Sequence, residues 1–458
     1  MSDFQIVVLW SDILVWLLLA AGVGLGVLIS RSPPLLAAWR RVGASRPGMA
    51  SATVLLAFVL VGLLDSLHYR PALAGQPGEQ TQYAIEVLSV LDALVGPLRT
   101  ENEKTYSSPL ATHLHAKETT EVPGVGTVRE FPRLKFGGVH LDDPAQRGGD
   151  VAMTALRAVG LAALVWLALT ALVAARCGGW AAVWRGRTRF AWNAVLATLG
   201  AMLLVLLPVF LLAGDYHVFG TDKVGQDVLY QILKSVRTAL IIGLVTTLVM
   251  LPLAVVLGIV AGYFRGWVDD LIQYLYTVLN SIPGVLLIAA AVLMMQVVID
   301  THPEWFATAA ERADLRLLAL CFILGITSWT GLCRLLRGET LKLRELEYIQ
   351  AAQAFGVSNW RIILRHILPN LMHIVIIALV MDFSGLVLAE AVLSYVGIGV
   401  DPTMTSFGTM INNARMELGR EPVVWWSLAA AFSAMFILVL AANLFADAVR
   451  DAFDPRAA

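Results

Sequence analysis

The sequence predicts an all-α polytopic membrane protein, because it is very apolar and its apolar residues form long runs. Hydrophobic residues make up 58% of the 458 residues and charged residues 15%, and the mean hydropathy is +0.73. Soluble domains are less apolar than this. A run of about 20 apolar residues is long enough to cross a bilayer as a helix. We identify such runs at 8–30, 49–65, 151–176, 190–213, 235–262, 272–298, 315–334, 371–396 and 425–446.

Two arginine-rich connections predict the orientation of these helices. Residues 31–48 and 177–189 contain no Asp or Glu, and positively charged short loops remain in the cytoplasm. Both connections are therefore predicted to be cytoplasmic, which places the N-terminus outside and the C-terminus inside. No basic segment precedes the first apolar run, so we interpret it as a retained helix and not a cleaved signal. The arginines concerned are Arg31, Arg40, Arg41, Arg46, Arg185, Arg187 and Arg189.

A long polar insert, 66–150, separates the second and third runs and is predicted to lie outside the membrane. Residues 83–98 show a helical pattern with Ile85, Leu88, Leu91 and Leu94 on one face. Prolines and glycines that follow, including Pro123 and Gly124, predict loops or short strands. His113 and His115 are interpreted as solvated loop residues, with a metal site as the less favoured alternative.

Several function classes are excluded by the motifs that the sequence lacks. Cys177, Cys321 and Cys333 lie in or beside apolar runs without a CxxC pair or a Cys/His cluster, which argues against disulfides and zinc. No basic patch indicates nucleic acid. No G-x-x-x-x-G-K-[ST] phosphate-binding loop, zinc helix or nucleophile motif occurs, so no catalytic residues are assigned, and we predict no enzyme activity and no bound metal or cofactor.

A charged stretch between two apolar runs, residues 345–370 (ELEYIQAAQAFGVSNWRIILRHILPN), is predicted to form a helical hairpin. The first helix ends at Gly356, which suits a left-handed residue. Ser358 is predicted to cap the second helix and Pro369 to end it. Ala351 and Ala352 would allow a partner surface to approach closely.

This stretch resembles the cytoplasmic loop of ATP-binding cassette (ABC) importer permeases. That loop reads EAA, three residues, Gly, nine residues and I-x-L-P. Here Gln350 replaces the Glu and His366 the Ile, while the spacing is kept. Residues 365–370 (RHILPN) resemble the dipeptide/oligopeptide branch in particular.

Four further segments resemble the same branch, so the resemblance covers the chain from about residue 189. Residues 217–228 are similar to its H-x-x-G-T-D-x-x-G-R-D motif, and we favour a turn held by Asp222 and Asp227 over substrate contact. Residues 258–270 are similar to G-x-x-A-G-Y-x-G-G-W-x-D, with Arg265 at a glycine position. Gly258 and Gly262 predict close contact with another helix. Tyr263 and Trp267 are predicted to lie at the membrane interface. Residues 390–399 (EAVLSYVGIG) and the ending around Asp454 and Pro455 also match.

Five polar or helix-breaking residues inside the apolar runs are candidates for a translocation path. An acid in a bilayer is costly unless it faces a cavity or a partner, which singles out Asp382 and Glu390. Glu390 is predicted either to meet a peptide's amino terminus or, slightly favoured, to bond Ser394 or a helix end. Asn280 and Pro283 interrupt the sixth run, where free carbonyls would line a path or accompany a plain kink.

The resemblance implies a type I permease core at 189–458. The other predicted units are accessory helices at 1–65, the extracytoplasmic insert at 66–150, and a third accessory helix with a cytoplasmic linker at 151–188. The resemblance also implies a peptide importer in the bacterial inner membrane, with ATP hydrolysed by partner subunits. Those subunits would bind the hairpin at Gln350, Ala351, Ala352, Gly356, Arg361, Arg365 and Pro369. The other implied partners are a second permease chain and an extracytoplasmic solute-binding receptor. The alternatives are import of nickel chelates, opines or related small solutes, or a stand-alone proton-coupled carrier that uses Asp382 and Glu390.

Overall fold

A computed structural model of the protein describes residues 4–73, 82–122, 126–306 and 308–453. Its N-terminal part contains β1 (Phe4–Val7), α1 (Trp10–Arg31), α2 (Pro33–Ala44), α3 (Arg46–Asp65), β2 (His68–Pro71), β3 (Leu88–Ser89), α4 (Val90–Leu94), α5 (Gly96–Thr100), β4 (Glu118–Val122), β5 (Gly126–Glu130), α6 (Arg147–Arg176) and α7 (Trp180–Trp184). The remainder contains α8 (Trp192–Leu212), α9 (Val228–Phe264), α10 (Trp267–Ser281), α11 (Gly284–Thr301), α12 (Ala309–Ser328), α13 (Thr330–Arg344), α14 (Glu347–Ala354), α15 (Asn359–Ile362), α16 (Leu368–Tyr395), α17 (Phe407–Glu417) and α18 (Trp426–Phe453).

Nine helical segments among the described residues are long and apolar enough to cross a membrane, which confirms the predicted fold class. They are α1, α3, α6, α8, α9, α11, the continuous run Ala309–Arg344, the continuous run Asn359–Tyr395, and α18. Asp454 and Pro455, from the predicted C-terminal motif, lie outside the described residues.

The sixth predicted span, 272–298, is wrong in its boundaries. Ile282 has an extended backbone and separates α10 from α11, with Pro283 directly before α11. Proline lacks the amide donor that a continuous helix needs at this position. Only Gly284–Thr301 has the length and hydropathy of a span, and α10 is a separate amphipathic helix.

Helix α9 is the centre of the molecule. It is 37 residues long and packs against α12, α13, α16 and α3. Two glycines bring it close to α13, as predicted for Gly258 and Gly262. A Cβ on Gly258 would lie 2.8 Å from the carbonyl oxygen of Cys333, and one on Gly262 would lie 2.6 Å from Cβ of Thr340.

The insert contains small sheets and short helices, and the single helix predicted at 83–98 is wrong. Ser89 and Asp92 form a capping box that starts α4 at Val90, and Pro97 begins the next short helix. Leu91 is buried, whereas Ile85, which was predicted to share its helix face, is 88% exposed. Strands β1, β2 and β3 form one antiparallel sheet, so the N-terminus pairs with the insert.

His113 and His115, which were predicted to be solvated, are half-buried. His113 follows Thr112, whose hydroxyl lies 3.0 Å from its Nδ1 atom. The ring of His115 packs edge-on against Trp426 with centroids 4.7 Å apart. The contacts with Thr112 and Trp426 account for the positions of the two rings.

Two basic side chains near the start of α9 bind the N-terminal helices and the insert to the core. Arg237 donates from Nη2 to Asp12 Oδ1 and to Ser11 Oγ, both at 2.7 Å. Lys234 Nζ lies 2.5 Å from Asp65 Oδ1 and 3.2 Å from Asp92 Oδ2. Removing one partner of a buried ion pair typically costs about 3–5 kcal/mol, so these contacts fix α1, α3 and α4 on α9.

Candidate ATPase-coupling hairpin and translocation-path residues

The hairpin of residues 345–370 turns at Gly356, as the sequence predicts. Gly356 has φ of +73°, and its amide donates to Gln353 O at 3.0 Å while Val357 N donates to Ala352 O at 3.1 Å. These bonds satisfy the last carbonyls of α14. A Cβ at Gly356 would meet no atom within 4 Å, so the glycine is needed for its backbone conformation and not for space.

The second half of the hairpin differs from the prediction, because Pro369 does not end the helix. Helix α15 runs into a π-helical turn, Ile363–Ile367, and then into α16. The π turn shifts the hydrogen-bond register before Pro369, whose missing amide then falls in the first turn of α16. Asn370 Nδ2 donates to His366 O at 2.6 Å. Ser358 precedes α15, but its side chain makes no capping hydrogen bond.

The inner face of the hairpin is apolar and packs on the ends of α9 and α13. Ile349, Ile362 and Ile367 are fully buried there. They share one cluster with Ile259, Leu332, Leu336 and Ile363.

Tyr263, at the end of α9, connects this inner face to both halves of the hairpin. Its hydroxyl donates to Asn359 Oδ1 at 3.0 Å and accepts from Gln353 Nε2 at 3.3 Å. Arg344 Nη1 donates to the carbonyl of Tyr263 at 2.7 Å. Tyr263 is 3% exposed, so its predicted place at the membrane interface is wrong, since the hairpin covers it. Trp267 is exposed.

Arg265 lies at the position where the resembling family has glycine, and its backbone keeps a glycine-like conformation. Its φ is +57°, which is strained for a residue with a side chain. Its Nη2 lies 2.5 Å from Glu345 Oε1, at the base of the hairpin.

The outer face of the hairpin is exposed and combines aromatic with basic side chains. Among the predicted coupling residues, Ala352 is half-buried and Gln350, Ala351, Gly356, Arg361, Arg365 and Pro369 are exposed. The prediction missed Phe355, which is 88% exposed, and Trp360 and Leu364, at 60% and 62%. Their signal in the sequence is a set of large apolar residues flanking a turn glycine in a polar loop.

Glu390 and Ser394 contact each other near the C-terminal end of α16. Glu390 is 2% exposed, and its Oε1 accepts hydrogen bonds from Ser394 Oγ at 2.6 Å and Ser406 Oγ at 2.9 Å. This geometry agrees with the structural role predicted for Glu390, a hydrogen bond with Ser394. Ser406, which caps α17, was not predicted to be a partner of Glu390, because the two lie in separate segments of the sequence.

The carboxylate of Asp382 has no hydrogen bond or ion pair with any residue that the structure describes. It is half-buried on a face of α16 that also exposes Met381 and Gly385. Asn280 and Pro283 are exposed, and Asn280 Oδ1 accepts a hydrogen bond from Thr330 Oγ1 at 3.3 Å. The structure therefore does not bring these candidates into one site within the chain.

Residues 217–228 form the predicted turn before α9. Asp227 Oδ1 accepts from Leu229 N at 2.7 Å, and Asp222 Oδ1 accepts from Val224 N and Gln226 N, both at 2.9 Å. The ring of His217 lies between Asp227, with Nδ1 2.8 Å from Oδ2, and Glu103 of the insert, with Nε2 3.5 Å from Oε1.

The charges around His217 shift two pKa values in opposite directions. Burial lowers the pKa of His217, but the hydrogen bond to Asp227 and the nearby Glu103 outweigh burial and raise it to about 9. Burial raises the pKa of Glu103, but His217 and the amides of Lys135, Phe136 and Gly137 outweigh it and lower the value to about 2. Both groups are therefore charged near neutral pH.

Comparison with known proteins agrees with a multi-pass membrane permease. The family described as binding-protein-dependent transport system inner membrane component matches residues 254–458. A glutathione transport system permease protein, GsiD, of Pectobacterium atrosepticum is 34% identical over 242 residues, 52% of this chain and 73% of the relative. An oligopeptide transport system permease protein, OppC, of Mycobacterium bovis is 30% identical over 282 residues, 57% of this chain and 90% of the relative. A dipeptide transport system permease protein, DppC, of Lactococcus lactis is 30% identical over 243 residues, 53% of this chain and 65% of the relative.

These matches and the fold define an ABC importer permease, which is a transport protein and not an enzyme. The chain belongs to the binding-protein-dependent transport system inner membrane component family and is a multi-pass protein of the bacterial inner membrane.

Proposed function

We propose that this chain is the permease subunit of an ATP-driven peptide importer and that the hairpin couples it to an ATP-binding partner subunit. The observation that carries the proposal is the two-sided hairpin. Its inner isoleucines are buried on α9 and α13, while Phe355 at the turn is 88% exposed. A hairpin fixed to the core and exposing an aromatic residue is suited to receive a displacement from a docked partner.

The chemistry of the outer face indicates what the partner offers. Exposed aromatic and arginine side chains are typical of interface residues that carry binding energy. Arg361 and Arg365 have no acidic partner among the described residues. A cleft with an apolar floor and acidic edges on a cytoplasmic ATP-binding subunit would complement this face. ATP is then hydrolysed on that subunit, and this chain holds no cofactor of its own.

The unpaired acid on α16 supports a second permease chain and a path between the two chains. Asp382 would be costly against lipid, and the face around it is open in the single chain. We place this face at the path or at the second permease, with Asn280 and Pro283 as further path-lining candidates and with Glu390 and Ser394 closing its outer end. ATP-driven rigid-body motion would alternate the path between its two openings.

Peptides are the cargo that the relatives support. Their names specify glutathione, oligopeptides and dipeptides, which favours peptides over nickel chelates or opines. Such an importer also requires an extracytoplasmic receptor that delivers the solute. No observation favours a stand-alone carrier that uses Asp382 and Glu390.

The test is Gly356→Val in the assembled transporter. Valine at φ of +73° would be strained by about 1–2 kcal/mol, which is enough to reduce coupled uptake of a labelled peptide about tenfold. Membrane insertion should be unchanged. Uptake and ATP hydrolysis are measured together in proteoliposomes containing the receptor.

The matched control is Gly338→Val, because Gly338 also has open space around a Cβ but lies inside α13 with ordinary backbone. We expect this variant to retain most of its uptake. Normal peptide uptake by Gly356→Val would contradict the docking assignment, and uptake of a metal chelate but no peptide by the wild type would contradict the cargo.

A further inference from the structure

The fold brings the two arginine-rich connections together at one corner of the molecule. The amide of Ala191 donates to Gly43 O at 2.8 Å, and the ring of Phe190 lies 2.7 Å from where a Cβ on Gly43 would be. On the same side, Arg46 Nη2 is 3.7 Å from the Cβ position of Gly186. We call residues 31–48 and 176–191 together the arginine corner.

The arginine corner carries eight arginines whose charges are not neutralised within the described part of the chain. All eight side chains are exposed, and no guanidinium group among them has a hydrogen bond or ion pair there. The neighbouring acids Asp447 and Asp451, at the end of α18, are already paired with Arg450 at 3.0 Å and 3.8 Å. The eight are Arg31, Arg40, Arg41, Arg46, Arg176, Arg185, Arg187 and Arg189.

Exposed aromatic side chains accompany these charges. Trp180, Trp184 and Phe190 are 48%, 40% and 46% exposed, and they lie on the segment between two membrane-crossing helices, α6 and α8. Tryptophan at such a place sits at the level of lipid headgroups, with its ring toward the acyl chains. The corner therefore presents guanidinium groups and exposed apolar rings on the same segments.

We propose that the arginine corner binds anionic phospholipids of the cytoplasmic leaflet, with the guanidinium groups on headgroup phosphates and the aromatic rings beside the acyl chains. Arginine binds phosphate through paired N–H donors, and clusters of four to eight basic residues beside a membrane helix attract anionic lipids. The orientation of a membrane protein depends only on how many Lys and Arg residues each short loop contains. It does not require two loops to fold against each other with every arginine unpaired. The bound lipid would hold α2 and the α6–α8 connection at the membrane surface.

The test is a lipid titration of the purified full chain, with the subunits it carries, followed by native mass spectrometry. The probes are cardiolipin, phosphatidylglycerol and phosphatidylcholine with identical acyl chains. We expect the two anionic lipids to bind more tightly than phosphatidylcholine, and added salt to weaken them. For Arg46→Gln with Arg187→Gln, the affinity for anionic lipid should fall about thirty-fold, the effect of two lost phosphate contacts.

Two further double variants make the result specific. Arg46→Lys with Arg187→Lys keeps the charge and should retain most of the binding, which also guards against a folding defect in the glutamine pair. Arg129→Gln with Arg147→Gln removes two exposed arginines from the insert, at the opposite end of α6 from Arg176, and should bind as the wild type does. Equal loss in both glutamine pairs, or equal affinity for all three lipids, would overturn the proposal. Competition by millimolar inorganic phosphate would identify a small-anion site and overturn the lipid assignment.

Discussion

His217 joins the insert to the start of α9 through two carboxylates. It lies 2.8 Å from Asp227, which caps α9, and 3.5 Å from Glu103, which also accepts the amides of residues 135–137. The protonated ring is therefore stabilised by one acid from each side. Opening this contact would separate the insert from the core.

The pKa values of these groups predict a pH dependence of stability. The pKa of His217 is raised to about 9, so its contribution is complete below its ordinary value of about 6.5 and is lost as the pH rises through about 9. The pKa of Glu103 is lowered to about 2, so its contribution is present above about 4.5 and is lost as the pH falls through about 2. The melting temperature should therefore be highest between about pH 4.5 and 6.5 and fall toward pH 9. The free energy of unfolding should decrease by about 2–3 kcal/mol over that rise in pH.

Thermal unfolding of the detergent-solubilised protein across this pH range checks the expectation. His217→Asn should remove the decline between about pH 6.5 and 9, whereas His302→Asn, at the end of α11, should keep the wild-type profile. A decline of unchanged size in His217→Asn would mean that another group is responsible.

At this scale the sequence predicted local contacts and missed distant ones. The capping roles of Asp222 and Asp227 follow from their place beside turn glycines and an apolar run. Glu103 is 114 residues away from His217 in the chain, and nothing near it indicates a partner. The same is true of Arg237 and Asp12, whose contact depends on the packing of α1 on α9.

Among the elements, the hairpin depends on one tyrosine that reaches both of its halves. Tyr263→Phe should leave the amides of Gln353 and Asn359 without this partner, at a cost of about 1 kcal/mol. Amide hydrogen exchange in residues 347–362 should then rise about fivefold, with little change in the membrane-crossing helices.

Tyr274→Phe is the matched control, since Tyr274 is 67% exposed and on α10. Its exchange pattern should equal that of the wild type. Unchanged exchange of residues 347–362 in Tyr263→Phe would mean that the isoleucine cluster alone fixes the hairpin.

The type of each element could be predicted where an apolar pattern extends over many residues. The predicted helix boundaries were wrong where a proline or a capping residue starts or interrupts a helix. The apolar runs gave the spans because hydropathy over about 20 residues dominates in lipid. Pro369 was expected to end a helix, since a π turn leaves no recognisable pattern in the sequence. The helix expected at 83–98 has the right apolar spacing, but a local capping box and Gly96–Pro97 divide it.

For the molecule as a whole, the charge of the connections predicts which regions face which side. Trypsin added to intact spheroplasts should cleave within 66–150, where Lys117 and Arg129 are exposed. It should not reach the exposed Arg185, Arg187 and Arg189 of the 177–189 connection.

Treatment of inverted vesicles with trypsin is the complementary experiment, because it exposes the opposite face of the membrane. There the 177–189 connection should be cleaved and the insert protected. Cleavage of the insert only in inverted vesicles would reverse the orientation and place the hairpin on the wrong side for a cytoplasmic partner.

The continuous run Asn359–Tyr395 has a mechanical consequence. It is 37 residues long, which at 1.5 Å per residue is about 55 Å, and it includes Trp360 of the hairpin, Asp382 and Glu390. Because Asp382 and Glu390 lie on the same continuous run as the second half of the hairpin, we expect a rotation of the hairpin to move both acids together. The π turn at Ile363–Ile367 lies between Trp360 and the two acids, so its hydrogen-bond register determines how the hairpin is oriented relative to them.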